Sequence, residues 1–157
     1  MNEKRLEILL WSIAFPGFGQ ILNGHVLKGI AFIILEVIIN LNSSFNMAIM
    51  FSFTGEINQA IEVTDYQWLM FYPCVYMFAV WDAYRFAEAQ HPPYAYLPFA
   101  FSAYTVTVGL IFSPVFEIAG TQLGPVWLPI LFLIPGIIIG LVIKRLLLSK
   151  NPPHSTS

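Results

Sequence analysis

Hydrophobic positions in this chain run in long unbroken blocks; they neither alternate nor recur on one face. Tyr94–Phe116 is 23 residues without a charge, and Ile118–Ile143 is 26. A helix that crosses a bilayer needs roughly 20 apolar residues. A third block, Tyr66–Ala87, is charged only near its end, at Asp82 and Arg85. A fourth starts near Val26 and reaches about Asn42, interrupted by Glu36. A fifth, Leu6–Leu22, is shorter and is broken by Pro16-Gly17-Phe18-Gly19. Backbone groups in lipid must be paired internally, so each block reads as helix. Continuous apolar runs lack the alternation of a membrane β-barrel. The pattern therefore predicts an all-α, polytopic integral membrane protein: four spanning helices plus a kinked N-terminal hydrophobic helix, re-entrant or spanning. Residues 1–150 read as a single membrane domain, and the polar 151–157 as a disordered cytoplasmic tail.

Pro73 and Pro135 fall inside two blocks. Each removes a backbone hydrogen bond and predicts a kink. Two segments, Asn42–Asp65 and Phe116–Val126, read as connections. In the first, Ile57, Ala60 and Ile61 lie at helical spacing and predict a short amphipathic helix at the membrane surface. Tyr66 and Trp68 stand near one end of the third block, Trp81 and Tyr84 near the other. Tyr66 to Tyr84 rises about 27 Å, close to the apolar thickness of a bilayer, and Tyr and Trp favour its interfaces.

Composition agrees with this pattern. Hydrophobic residues make up 57% of the 157-residue chain and charged residues 10%, where a soluble domain carries about 25% charge. Net charge is −2 and no Lys/Arg-rich run occurs, so nothing points to nucleic acid. Cys74 is the single cysteine, which excludes an intrachain disulfide and a cysteine metal site.

The cations set the topology. They are Lys4, Arg5, Lys28, Arg85, Lys144, Arg145 and Lys150, and short basic loops face the cytoplasm. If the last helix ends inside at Lys144-Arg145, then Arg85 and Lys28 are inside and the loop with Glu56, Glu62 and Asp65 is outside. A crossing first segment puts Lys4 and Arg5 outside; a returning one puts all seven cations inside. The second arrangement is preferred. Pro16 cannot donate a backbone bond, Gly17 and Gly19 accept unusual φ values, and Gln20 and Asn23 offer partners to the freed backbone. A basic start, an apolar centre and a small-x-small ending also fit a signal peptide. Glu7 in or beside that centre opposes it, and cleavage would reverse the charge rule for every later loop.

The residues Pro16-Gly17-Phe18-Gly19-Gln20, the turn Asn23-Gly24, Lys28-Gly29 opening the next helix, and Trp81-Asp82-Ala83-Tyr84 ending a later one resemble a pairing found in small bacterial membrane proteins. Those proteins are distantly similar to the two-transmembrane domain family, which has a His-Arg-Phe-Tyr-like run where this chain has Gln20-Ile21-Leu22-Asn23. The resemblance implies a multi-pass protein of the bacterial plasma (inner) membrane.

Candidate chemistry is sparse. Glu36 lies about 15 Å along its helix, where a carboxylate costs on the order of 2.5–3.5 kcal/mol. With Asn40 one turn on, it forms a candidate intramembrane polar site for a proton or cation, or else a hydrogen-bonded structural Glu; Gln20 and Tyr104 are further candidate partners. Asp82 and Arg85, three apart, form a candidate interfacial ion pair; Asp82 could instead receive Lys28 or the broken turn. Gly136 and Gly140 form a GxxxG packing face, within the chain or in a homodimer. His25, His91 and His154 have no metal-ligand spacing, and "QHPPY" (Gln90–Tyr94) reads as a turn. No catalytic constellation, metal site or cofactor motif emerges. The leading expectation is a non-catalytic protein that binds, scaffolds or regulates another membrane component, with lipid bilayer, another membrane protein or itself as partners. The alternative is a small transporter or channel subunit using Glu36, and a weaker one is an enzyme acting on lipid head groups near Asp82, Arg85 and His91.

Overall fold

The apolar blocks become helices, but their ends fall where turn chemistry dictates. A computed structural model describes residues 3–87 and 93–150; the tail 151–157, His91, His154 and most of the Gln90–Tyr94 turn lie outside the described residues. The elements are α1 (Glu3–Ala14), α2 (Phe18–Leu22), α3 (Val26–Ser43), α4 (Phe45–Thr54), α5 (Ile57–Val63), α6 (Tyr66–Leu69), α7 (Tyr72–Phe86), α8 (Leu97–Phe112), β1 (Glu117–Ile118), β2 (Thr121–Gln122) and α9 (Gly124–Lys150). Among the described residues the regular structure is helical apart from the small antiparallel hairpin β1–β2.

Two helices are long and apolar enough to cross a membrane: α3, with 18 residues, and α9, with 27. The other two expected spans are shorter. α7 has 15 residues and α8 has 16. The third block does not form one helix. It breaks at Met70–Phe71, and Pro73 occupies the first turn of α7, where its missing N–H costs nothing. Pro135, with Pro129, stays inside α9. The connection expected at Phe116–Val126 holds a tight turn, and the last helix starts within it. Ala119 and Gly120, both at positive φ, turn the chain so that Ile118 pairs with Thr121, and α9 begins only at Gly124.

The segment Asn42–Asp65 is more ordered than a connection. Ser44 takes a left-handed conformation and ends α3; the apolar α4 then runs to Gly55, and α5 returns, so that the Asp65 N–H donates to Ser43 O at 3.1 Å. α5 is the expected amphipathic helix, with Ala60 fully buried. Both helices pack on α9, where the Trp127 indole donates to Ser52 O at 3.0 Å.

Helices α8 and α9 form the most extensive contact in the molecule. They run antiparallel. A Cβ added at Gly140 would lie 2.4 Å from Pro98 Cα, and one at Gly136 2.6 Å from Ser102 Cα. The GxxxG face is thus filled by this chain's own α8. Helix α7 packs on α8, with Tyr84 and Phe99 rings 5.9 Å apart, and α3 packs on α7, with Phe32 and Phe78 rings 6.1 Å apart.

The first segment doubles back along α7. Arg5 lies over the Tyr84 ring, near the end of α7. One helix length on, the Ile13 carbonyl accepts from the Tyr76 hydroxyl, deep along α7. After the break, Asn23 Nδ2 donates to Ala83 O at 2.8 Å and His25 stacks edge-on to Phe86. Both ends of the α1–α2 hairpin therefore lie at the same end of α7. That end also holds Lys28, Arg85 and the C-terminal turns of α9, so all seven Lys and Arg gather there. The opposite end carries Glu56, Glu62, Asp65 and Glu117 and no cation.

Candidate functional site

Three features stand out: a polar clasp on the α1–α2 hairpin, a buried carboxyl in α3, and an apolar groove.

The clasp is built from residues far apart in sequence. Gly17, at φ +104°, begins α2, and a Cβ there would lie 2.5 Å from Gly29 O, so the α1–α2 turn and the start of α3 touch backbone to backbone. Pro16 is fully buried at this corner. Gly19 sits where a Cβ would meet Ser12 Oγ at 1.9 Å and Ala83 Cβ at 2.7 Å. Those approaches bring Gln20, fully buried, onto α7: its Nε2 donates to Ala79 O at 2.7 Å and to Asp82 Oδ2 at 3.2 Å. Asp82, 5% exposed, also accepts from Lys28 Nζ at 3.0 Å. The clasp thus joins Pro16, Gly17, Gly19, Gln20, Asn23, Lys28 and Asp82. Gly24, at positive φ with open space around it, only reverses the chain into α3.

The structure pairs Asp82 with Lys28, 54 positions away, and not with Arg85. Arg85 turns outward, its guanidinium over Trp81 at 5.3 Å and Phe86 at 5.6 Å. Three-residue spacing suggested Arg85 because helical neighbours are all that spacing can reveal.

Glu36 and Asn40 do not share a site. Glu36 lies on the buried stripe of α3, with Gly29, Phe32, Ile39 and Ser43. Tyr72 of α7 lies beside its carboxyl, and Oε2 is buried with no partner among the described residues. Asn40 instead closes the α3–α4 turn, its Nδ2 donating to Asn46 Oδ1 at 3.0 Å. Gln20 is engaged at the clasp, and Tyr104 is 69% exposed.

The groove was not foreseen. It has a volume of about 350 Å³ and is lined from four sides, by Phe45 and Phe53 of α4, Met77 of α7, Val106 of α8 and Ile130 of α9, among others. Tyr72 and Tyr76 also face it; the Tyr76 hydroxyl is spent on Ile13 O, and Tyr72 adjoins Glu36. Its walls come from residues as far apart as Phe45 and Leu133, so no local pattern marks it. Among the described residues no group of His, Cys, Asp or Glu converges as a metal site. Compared with known proteins, the chain matches no family model, no curated protein and no solved structure.

Proposed function

We propose that this is a multi-pass protein of the bacterial inner membrane, with four crossings and both termini cytoplasmic, and that it acts without catalysis by holding another membrane component. Four crossings are supported by pairing: α8 follows α9, and α7 follows α3, along most of their lengths, so helices that cross carry their shorter partners with them. The orientation is supported by the gathering of all seven cations at one end, which the positive-inside rule assigns to the cytoplasm. The likeness of the clasp residues to the two-transmembrane domain family belongs to the same reading.

The observation that carries the binding reading is the apolar groove between α4, α7, α8 and α9. Its lining is almost wholly apolar side chains, and the Tyr76 hydroxyl is engaged by Ile13 O, so it offers an occupant apolar contact. Its volume suits side chains that project from a partner, not a whole helix of 10–12 Å diameter. A photo-crosslinking residue at Ile130 should yield one discrete adduct in native membranes, and the same partner should co-purify. Val106→Trp, which fills the groove, should abolish both, and a crosslinker at Leu27, 86% exposed near the other end, should not give that adduct. Equal adducts from both positions would defeat the reading.

A second reading, a small transporter or channel subunit, is favoured by Glu36 alone. A buried carboxyl with a free oxygen beside a tyrosine is a candidate proton or cation site. Proton flux in vesicles containing the purified chain, lost in Glu36→Gln, would support it.

A further inference from the structure

At the cation-rich end, three nitrogen-bearing side chains meet at one ring. Phe86 closes the last turn of α7 and is 42% exposed. Lys28 Nζ lies 4.4 Å from its centroid, the Arg85 guanidinium 5.6 Å, and the His25 ring 4.9 Å in an edge-on contact. Arg85 makes no hydrogen bond to any described residue, so its five N–H donors remain available. Lys28 spends donors on both oxygens of Asp82 but has three, and its side chain is 44% exposed. Asp82 is buried behind Lys28. Beside the cations stand Leu27, 86% exposed, and Val26, 50% exposed.

We propose that His25, Lys28, Arg85 and Phe86 form a binding site for the phosphate head group of an anionic phospholipid. Guanidinium and ammonium donors are the groups that hold phosphate. Phe86 fixes them side by side through cation–π contacts. Trp81, under the Arg85 guanidinium, and Phe78, 52% exposed and deeper along α7, give the acyl chains an apolar wall beneath the head group, which an acidic peptide or a nucleic acid would not use. Basic pockets between helices on the cytoplasmic side of a membrane bind anionic head groups in this manner. The site rests on the membrane reading given above, and one experiment separates the two.

The full chain is incorporated into vesicles of phosphatidylcholine with phosphatidylglycerol, and flotation tests whether it enters them. Lipids retained after gentle release are identified by native mass spectrometry. The site predicts retention of phosphatidylglycerol over phosphatidylcholine. Arg85→Gln lowers that preference about five-fold, the effect of one cation near a membrane surface, while Lys144→Gln, outside the cluster, leaves it unchanged. Added inorganic phosphate leaves the retained lipid in place. Equal retention of the two lipids by a chain that floats overturns the site and spares the membrane reading. Equal loss in Arg85→Gln and Lys144→Gln overturns it in favour of a diffuse basic surface, and displacement by phosphate overturns it in favour of a free-anion site. A chain that does not float overturns the membrane reading and the site with it.

Discussion

Replacing Lys28 with Met should destabilise the fold, and replacing Asp82 with Leu in the same chain should restore most of the loss. Asp82 is 5% exposed and holds its charge against Lys28 Nζ at 3.0 Å and Gln20 Nε2 at 3.2 Å. Removing one partner of a fully buried pair costs about 3–5 kcal/mol, because a charge is stranded. Lys28 is 44% exposed, so water already solvates part of the pair and reaches the stranded carboxylate. Gln20 still donates to it. These two factors reduce the expected cost of Lys28→Met to about 2 kcal/mol. Asp82→Leu in that background removes the stranded charge and leaves Gln20 its bond to Ala79 O, at 2.7 Å. The cycle should therefore show a coupling of about 1–2 kcal/mol. Equilibrium unfolding in mixed detergent micelles measures all four chains. Strictly additive losses, or a stable Lys28→Met protein, would refute the clasp as a cooperative unit.

Other outcomes follow from the same geometry. Gly140→Leu should abolish folded yield on size exclusion, since its Cβ meets Pro98 Cα at 2.4 Å and backbone cannot yield; a dimer that dissociates into folded monomers would instead place this face between subunits. Gly17→Val should cost about 2 kcal/mol or more in thermal unfolding, through φ +104° and the 2.5 Å approach to Gly29 O. Tyr72→Phe removes the hydroxyl beside the buried Glu36 carboxyl and should cost about 1–3 kcal/mol, less in a Glu36→Leu background. In a Cys74→Ser chain, single cysteines at Glu3 and Lys150 should label with an impermeant maleimide from one side and one at Glu62 from the other; labelling of Glu3 and Glu62 from the same side would remove the re-entrant arrangement.

What could be read in advance was whatever depends on local chemistry. Unbroken apolar runs sufficed for the helical class and for α3 and α9, and Ile57, Ala60 and Ile61 located α5. Pro16-Gly17 marked the break, because only such residues accept that corner. Features that depend on contacts at long range were not readable. Asp82 has two cations within reach of reasoning, and spacing on one helix favoured Arg85 over a lysine 54 positions away. Helix α4 was hidden because Asn42, Ser43 and Ser44 look like the start of a loop, while Ser44 alone makes the turn. The connection Phe116–Val126 was legible, but not the β1–β2 pairing inside it, because two-residue strands leave no alternation to read. Gly136 and Gly140 announced a close approach without naming α8 as the helix that fills it.

The clasp also dictates an order of events at the ribosome. Its two halves are separated by 54 residues between Lys28 and Asp82, and at 5–20 residues per second that interval lasts roughly 3–10 s. Throughout it the nascent N-terminal hairpin has Gln20 and Asn23 without acceptors and Lys28 without its counter-ion. The hairpin must therefore wait, loosely held, until α7 has been made, and only then lock. A chain truncated before Ala79 should leave its first two dozen residues open to protease, and one extended past Phe86 should protect them.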